Sequence, residues 1–405
     1  MRVLLSAVGT RGDAQPVVAV ALALRERGHE PRLCVPPNFV EWATDLGLTA
    51  TPVGVEMRSR AGATPSAPPT PEQVRALVSG LVTDQFRSVG GAAEGCDVIL
   101  GAGEHQVAAR SVAEARGIRY VSAVYCPIAL PSPDYAPASV PAAAGCRDTA
   151  KLSEQYARSW NERYLASVNA NRDALGLEPL SDVRSHILTE RPWLAADATL
   201  GPHLNTPGLD VTQTGAWLLA DEGPLDAAVE SFLDAGDPPV YLGFGSMPSV
   251  VGAGRTLAAA ARAVARRAIV SRGWGDFEVD NDADVLVVDD VSHHALFPRV
   301  AAVVHHGGAG TTTTAARHGV PQVSVPMFHD QPYWASRIEA LGIGASVPVA
   351  RLTPETLAAA LAIALSPAAE NQAKLVSREI TLDGASVAAE LLVTTSYVRT
   401  SRQAT

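Results

Sequence analysis

Residues 305–319, HHGGAGTTTTAARHG, combine adjacent histidines, glycines and threonines in one short stretch. The apolar AAVVHH before the glycines predicts a short buried strand, and TTAARHG after them predicts a helix. The glycines therefore lie where a helix begins, and the free N–H groups and dipole of a helix N-terminus suit a phosphate. The stretch predicts a cradle for a diphosphate, and a tight turn without a ligand is the alternative.

Single residues of this stretch have different expected roles. Neighbouring residues of a strand point to opposite faces, so one of His305 and His306 is expected to face the ligand while the other packs. Thr311 stands where an N-cap or first-turn hydroxyl would lie. Gly308 and Gly310 lack the third glycine of a dinucleotide fingerprint, and the chain has no P-loop motif. A nicotinamide or flavin enzyme is therefore disfavoured, and a P-loop NTPase is excluded.

Asp13 follows the first apolar run, in GTRGDAQP at 9–16, and opens a predicted helix. Two interpretations stay open from the residues alone. As an N-cap the carboxylate needs no catalytic role. As a general base it would stand at the carboxyl edge of a sheet, facing a cleft.

Two more strand ends carry polar side chains. Ser246, in GFGSMPS at 243–249, could add a hydroxyl to the same phosphate, because parallel strands end at one edge of a sheet; a simple turn without a ligand is the alternative. Asp330 and Gln331, in PMFHDQPYWA at 326–335, have acceptor and amide groups that suit sugar hydroxyls, with an N-cap as the alternative.

A metal site is not predicted. DNDAD at 280–284 contains Asp-x-Asp, but it precedes the strand-like VLVVDD and is interpreted as a solvated turn. His293 and His294 have no third ligand at metal spacing. The four cysteines form no CxxC pair, which indicates a reduced, cytoplasmic protein.

The elements that must position these residues alternate between strand and helix, which predicts parallel sheets covered on both faces. The rhythm starts at the first residues, is interrupted around 58–72 and 126–145, and restarts near 238. The sequence predicts an α/β protein with an N-terminal domain at 1–215, a linker at 216–236, a second domain at 237–382 and a C-terminal segment at 383–405.

Composition narrows the partners. The 405 residues are 47% hydrophobic and 18% charged, which is enough to bury large cores. A net charge of −10 argues against nucleic acid or an anionic membrane as a partner. No secretion signal and no apolar stretch near membrane-span length is evident.

The four strand-end motifs, in this order across two α/β blocks, resemble the GT-B glycosyltransferases of family 1. The likeness is greatest to the bacterial enzymes that glycosylate antibiotics, including the vancomycin group, and to sterol glucosyltransferases. It covers nearly the whole chain, from MRVLLSAVGTRGD to PMFHDQPYWASRIEALGIG. The resemblance implies two Rossmann-like domains facing across a cleft, with the last helix, in 383–405, returning to the N-terminal domain.

The resemblance also implies roles for residues. Asp13 would take the proton of the acceptor. The diphosphate would be held by Ser246, His306, Gly308, Gly310 and Thr311, and the sugar by Asp330 and Gln331. Trp274 and the backbone of Val291 would lie where the family places the nucleoside. Members generally invert the anomeric centre and need neither metal nor cofactor.

The expected function is transfer of a hexose or deoxyhexose from a UDP- or dTDP-sugar to a hydroxyl of a small lipophilic natural product. The Pro- and Ala-rich segments at 58–72 and 126–145, which carry few charges, are expected to shape the acceptor pocket. Two alternatives stay open: a non-catalytic helper of the same fold and a GT-B sugar-nucleotide epimerase. Retention of Asp13, His306 and Asp330 argues against a helper.

Overall fold

The structure is a computed structural model that describes residues 1–57, 70–137, 148–219, 223–247, 252–275, 279 and 281–402, the last helix only as backbone beyond residue 394. Parts of both predicted acceptor segments, at 58–69 and 138–147, lie outside the described residues. So does residue 280 of the predicted turn at 280–284.

The first sheet is wholly parallel and has the strand order β3-β2-β1-β4-β5-β6-β7. Its order reverses beside β1, which is the switch point at which α/β sheets bind ligands. The strands are Arg2–Ala7 (β1), Glu30–Val35 (β2), Thr49–Pro52 (β3), Val98–Ala102 (β4), Arg119–Val124 (β5), Trp193–Leu194 (β6) and Thr212–Gln213 (β7).

The second sheet is also parallel and has the order β10-β9-β8-β11-β12-β13, so it reverses beside β8. The strands are Val240–Gly243 (β8), Ala268–Ser271 (β9), Val285–Val288 (β10), Ala302–His305 (β11), Gln322–Ser324 (β12) and Gly344–Ser346 (β13). Two parallel sheets of this kind confirm the predicted α/β class and its two Rossmann-like units.

Helices connect the strands throughout the described chain. Those around the first sheet are Arg11–Glu26 (α1), Val40–Asp45 (α2), Pro71–Ala92 (α3), Ala109–Arg116 (α4), Thr149–Ala174 (α5) and Val183–Leu188 (α6). The others are Ala227–Asp234 (α7), Ala253–Ala263 (α8), His293–Leu296 (α9), Ala309–Arg317 (α10), Gln331–Ala340 (α11), Pro354–Ala364 (α12), Pro367–Val376 (α13) and Gly384–Arg402 (α14). Short 3-10 turns cover Pro37–Phe39, Pro127–Ala129, Phe297–Arg299 and Val349–Arg351.

Strand alternation explains how each sheet is covered on both faces. Val3 and Leu5 of β1 pack in one core with α1, whereas Leu4 between them packs in another core with α3 and α4. In the second sheet, Leu242 faces α8 and α12, and its neighbour Tyr241 faces α7 and α9. Every strand near the site is thus fixed from two sides.

The C-terminal helix α14 packs on the first sheet's layer although its sequence follows the second sheet. Ala388, Ala389 and Leu392 are fully buried in the same core as Val17 and Val20 of α1. The two sheets fall inside the ranges that the sequence predicts for the two domains. The range predicted as the linker contains α7.

Candidate active site

The predicted site residues lie in the loops and first helical turns that follow the carboxyl ends of the strands. Ser246, Trp274 and Val291 follow β8, β9 and β10, and the glycine-rich stretch follows β11. Asp13, beyond the end of β1, belongs to the first sheet. Contacts between the two units, such as the 2.8 Å ion pair of Arg11 and Asp290, place the two edges opposite each other. The site is therefore a cleft between the sheets.

Asp13 is the third residue of α1, and Thr10 is the N-cap. The N-cap interpretation of Asp13 is therefore wrong. Its Oδ2 instead accepts the Thr10 N–H at 2.9 Å, reaching back from the first turn as an acidic residue of a capping box does. The helix starts at Arg11, three residues before the Ala14 that an N-cap at Asp13 would give, because Thr10 supplies the extended cap conformation.

The Asp13 carboxylate is enclosed by glycine backbone. A Cβ at Gly9 would lie 2.0 Å from Oδ2, and one at Gly103 would lie 3.1 Å from Oδ1. Any side chain at residue 9 would therefore displace the carboxylate. Tyr125 adds a further restraint, because its hydroxyl donates to the Asp13 carbonyl at 3.0 Å.

Burial raises the pKa of Asp13 to about 7, and the Thr10 N–H opposes this shift. Asp330 and Glu104 raise the pKa further, because a second negative charge nearby disfavours ionisation. A carboxyl group with a pKa near neutrality suits general base catalysis at physiological pH. The shift also shows that Asp330, from the other side of the cleft, lies within electrostatic reach of Asp13.

Glu104 is a cleft residue that sequence reasoning missed. It accepts a hydrogen bond from the Tyr156 hydroxyl at 3.0 Å. Burial raises the pKa of Glu104, while the Arg184 guanidinium opposes the shift. The signal was present in GAGEHQ at 101–106, which follows β4, the strand beside β1.

The two adjacent histidines lie in different environments. His305 is fully buried, and its ring bonds the Gln322 amide oxygen through Nε2 at 2.9 Å and the Gly307 N–H through Nδ1 at 3.1 Å. His306 is partly exposed, and its buried Nδ1 has no hydrogen-bond partner among the described residues. Burial lowers the pKa of His306 to about 4, so its ring is neutral at pH 7. His306 therefore fits the ligand-facing role and His305 the packing role.

The N-terminus of α10 begins beside His306. Gly308 is the N-cap and has no side chain that could cover the first N–H groups of the helix. A Cβ at Gly308 would lie 2.4 Å from His306 Nε2, whereas a Cβ at Gly310 would meet no atom within 4 Å. Gly308 is thus required for packing, and Gly310 borders open space.

The threonines of this stretch serve mostly the helix itself. Thr312 and Thr313 donate their hydroxyls to the carbonyls of Gly308 and Ala309, at 2.9 and 2.8 Å. Thr311 is the third residue of α10, so its hydroxyl belongs to the first turn and not to the N-cap. The helix thus places one threonine, partly exposed, in the turn nearest His306.

Ser246 directly follows Gly245, which lies beside His306. A Cβ at Gly245 would be 3.7 Å from His306 Cε1, so the loop after β8 runs along the imidazole. Ser246 itself is partly exposed. The structure therefore brings Ser246, His306 and the start of α10 to one place.

Trp274 and Val291 lie at the side of the cleft where the two sheets meet. The Trp274 ring stacks on Phe39 of the N-terminal domain, with ring centroids 6.1 Å apart and 21° between planes. Val291 is partly buried, and its N–H already donates to the Asp290 carboxylate at 3.1 Å.

Asp330 and Gln331 open α11, but neither side chain is free. Asp330 occupies the N-cap position without capping, because its Oδ2 accepts the Trp334 indole N–H at 2.8 Å. Gln331 is only 3% exposed, and its amide oxygen accepts the Met327 N–H at 2.8 Å. A sugar at this place would meet the second oxygen of Asp330 more readily than the Gln331 amide oxygen. The predicted sugar contacts stay predictions.

Metal-ligand clusters are not found: no group of three or more His, Cys, Asp or Glu side chains with metal-binding geometry occurs among the described residues. His293 bonds Tyr241 at 3.0 Å, and His294 bonds His318 at 3.1 Å. Asp282 of the predicted turn accepts the N–H groups of Asp284 and Val285. Within the described chain, none of the helices combines the length and apolarity needed to cross a bilayer.

Two family profiles match the chain, one for each sheet. The glycosyltransferase family 28 N-terminal domain matches residues 3–129. The C-terminal domain of erythromycin biosynthesis protein CIII-like proteins matches residues 278–386.

Full-length relatives and a solved structure agree with these profiles. The chain is 44% identical to vancomycin aglycone glucosyltransferase of Amycolatopsis orientalis over 399 residues, 97% of each chain. It is 40% identical to dTDP-epi-vancosaminyltransferase of the same organism, over 91% of this chain and 90% of the relative. The crystal structure of the glycotransferase of kitacinnamycin superposes with a TM-score of 0.69 at 21% identity, covering 96% of this chain and 98% of the other.

The chain therefore belongs to the antibiotic glycosyltransferase family that includes vancomycin aglycone glucosyltransferase, and it is a glycosyltransferase with the GT-B fold. The resemblance inferred from the strand-end motifs is confirmed.

Proposed function

We propose that this glycosyltransferase moves a hexose or deoxyhexose from a UDP- or dTDP-sugar to a hydroxyl of a lipophilic natural product, with inversion and without a metal ion. The observation that carries the proposal is the Asp13 carboxylate. Its pKa of about 7 and its place across the cleft from His306 and the start of α10 suit it to remove a proton at neutral pH.

In the proposed reaction, Asp13 takes the proton of the acceptor hydroxyl as its oxygen bonds to the anomeric carbon. The bond from that carbon to the diphosphate oxygen breaks, and its electron pair leaves with the nucleotide. Attack from the side of Asp13, opposite the diphosphate, inverts the anomeric centre. The Asp13 carboxylate is neutralised by the acceptor proton as the departing diphosphate gains one negative charge.

The negative charge that develops on the departing diphosphate would be stabilised by groups that are already in position before the reaction. The N–H groups at the start of α10 adjoin the neutral His306 ring, and the partly exposed Ser246 and Thr311 would add their hydroxyls from the neighbouring loop and the first turn of α10. Oriented dipoles of this kind stabilise developing charge without reorganisation. They support a reaction that needs no divalent cation.

The donor and acceptor classes are supported by the relatives. One relative is named for a dTDP-sugar and another as a glucosyltransferase of the vancomycin aglycone. In this chain the described part of the acceptor segment after β5 is mostly apolar with one charged residue, Asp134; Ile128, Ala129 and Leu130 are buried and Tyr135 is exposed. These features favour a flat, lipophilic acceptor.

The test is an assay of the full chain with a panel of UDP- and dTDP-sugars and of glycopeptide and other lipophilic aglycones. Mass spectrometry should detect an aglycone heavier by one sugar, and NMR coupling constants of the product should report inversion. A nucleotide sugar that is only epimerised, or no turnover with any donor despite tight nucleotide binding, would refute the proposed transfer.

A further inference from the structure

The proposed nucleoside site carries a contact from the other domain. Trp274 follows β9 of the second sheet, yet its ring packs against the core of the first sheet's unit. The partner is Phe39, whose ring is nearly parallel to the Trp274 ring, at 21°, with centroids 6.1 Å apart. Such stacked aromatic pairs are specific in geometry and contribute beyond the area they bury.

The Phe39 side chain is held in place by the core of its own domain. It is only 6% exposed and shares a core with Val35 and Ala43. Trp42 adds an edge-on contact, with ring centroids 6.3 Å apart. Trp274 keeps partly exposed surface beside its contact with Phe39.

The Trp274 loop is held from its own domain as well. The Trp274 N–H donates to the Gly245 carbonyl at 2.9 Å. A Cβ at Gly273 would lie 2.2 Å from that carbonyl oxygen, and the φ of Gly273 is +55°, so glycine is required there. Gly245 precedes Ser246 and adjoins His306. The loop that contains Trp274 is therefore hydrogen-bonded to the loop of the proposed diphosphate site.

A second contact between the domains flanks this one. Arg11 pairs with Asp290 at 2.8 Å, and its guanidinium also lies 5.4 Å from the Trp42 ring centroid. Asp290 in turn accepts the Val291 N–H. Both predicted nucleoside residues thus sit on elements that the N-terminal domain contacts.

We propose that Phe39 is a positioning residue for the donor: it supports one face of Trp274 so that the other face receives the nucleoside base. The inference rests on the proposed function, because it takes the donor to be a nucleoside diphosphate sugar. It adds that the N-terminal domain, through Phe39, takes part in recognising the nucleoside and not only the acceptor.

The test is calorimetric titration of the full chain with dTDP, UDP and inorganic pyrophosphate. Phe39→Leu keeps an apolar side chain in the core but removes the aromatic face. We expect nucleotide affinity to fall by roughly 2- to 12-fold, the effect of losing one aromatic pair. Pyrophosphate affinity should stay unchanged, because pyrophosphate meets only the diphosphate groups.

Two controls separate positioning from general damage. Phe86→Leu alters a phenyl that is 8% exposed in the other core of the same domain, so it should lower the melting temperature similarly and leave nucleotide affinity intact. Trp274→Leu should weaken nucleotide binding by itself. Adding Phe39→Leu to Trp274→Leu should then change little, because Phe39 acts through the ring already removed.

Equal nucleotide affinity of Phe39→Leu and wild type, or full additivity of the two substitutions, would overturn the inference while leaving the proposed function standing. A parallel loss of pyrophosphate binding would overturn it too, since the effect would then not concern the nucleoside. Failure of the wild-type chain to bind either nucleotide would instead remove the proposed function, and the inference with it.

Discussion

Replacing Asp13 by Asn tests the proposed base with little change of shape. The Asn amide oxygen can still accept the Thr10 N–H, which Asp13 Oδ2 accepts at 2.9 Å. The side chain must also fit against Gly9 and Gly103, and Asn has nearly the same volume. The substitution removes basicity alone, so we expect kcat to fall by about 10²- to 10⁴-fold while donor affinity is retained.

The pH profile gives this prediction a second, independent readout. With a pKa of about 7, Asp13 is mostly protonated at pH 6 and mostly ionised at pH 8. At saturating donor, kcat/KM for the acceptor should therefore rise roughly tenfold between these values. His306, with a pKa of about 4, does not titrate in this range. In Asp13→Asn the residual rate should lose this dependence.

As the pH rises, the stability of the folded wild type should fall while its reaction rate rises. Because the folded-state pKa of Asp13 lies above its ordinary value, the folded chain holds a proton that the unfolded chain releases between about pH 4 and 7. The wild type is thus favoured below pH 4 and loses this contribution as the pH rises through 7. Asp13→Asn avoids ionisation, so its melting temperature should exceed that of the wild type at pH 8 and the difference should shrink towards pH 5.

A matched control is Asp182→Asn, which alters a capping carboxylate that accepts the Ser185 N–H at the start of α6. It should leave kcat and its pH dependence unchanged. If Asp13→Asn keeps kcat within a few-fold of wild type, or keeps the rise between pH 6 and 8, Asp13 acts only as a helix-capping residue and another group removes the proton.

Three further predictions concern the diphosphate groups. His306→Ala should lower kcat by roughly 10²-fold with little change in melting temperature. His305→Ala should mainly lower the melting temperature, because it breaks two buried hydrogen bonds. The reverse pattern in steady-state rates and thermal melts would exchange the roles of the two histidines. Binding of dTDP or UDP, followed by calorimetry, should be the same with and without EDTA, and loss of binding in EDTA would contradict a metal-free site. Gly310→Ala should keep or raise the melting temperature, since its Cβ meets no atom within 4 Å, yet weaken nucleotide binding; unchanged affinity would place the diphosphate away from the start of α10.

The alternation of strands and helices was predictable because it depends on local patterns. The run RVLLSA is buried on both faces as a parallel strand requires, and it forms β1 as predicted. The two-residue strands β6 and β7 carry no such pattern, since two residues cannot show a period. The helix α7 lies in the predicted linker at 216–236, for which no secondary structure was predicted from the sequence.

Candidate site residues could be proposed from the sequence where they followed a strand and differed in type from their surroundings. Asp13, His306 and Asp330 were singled out in this way and stay candidates; Asp13 lies at the third position of its helix and not at the N-cap, whereas Thr311 lies in the first turn as predicted. Glu104 and Phe39 were missed because their importance depends on what lies beside them in space. Glu104 gains its place from the pairing of β4 with β1, and Phe39 from a ring far along the chain.

The distribution of charge in the cleft explains how a chain with a net charge of −10 can bind an anion. The groups assigned to the diphosphate, which are His306, Ser246, Thr311 and the start of α10, are neutral dipoles and not cations. Dipoles fixed in place interact more strongly as the leaving oxygen gains charge, so they stabilise the transition state more than the bound donor. In the proposed reaction, Asp13 and the nearby Asp330, whose charge raises the pKa of Asp13, would lie close to the anomeric carbon, where positive charge develops. The proposed site would thus oppose carboxyl groups at the reacting carbon to neutral dipoles at the departing diphosphate, which is the charge distribution that this displacement favours.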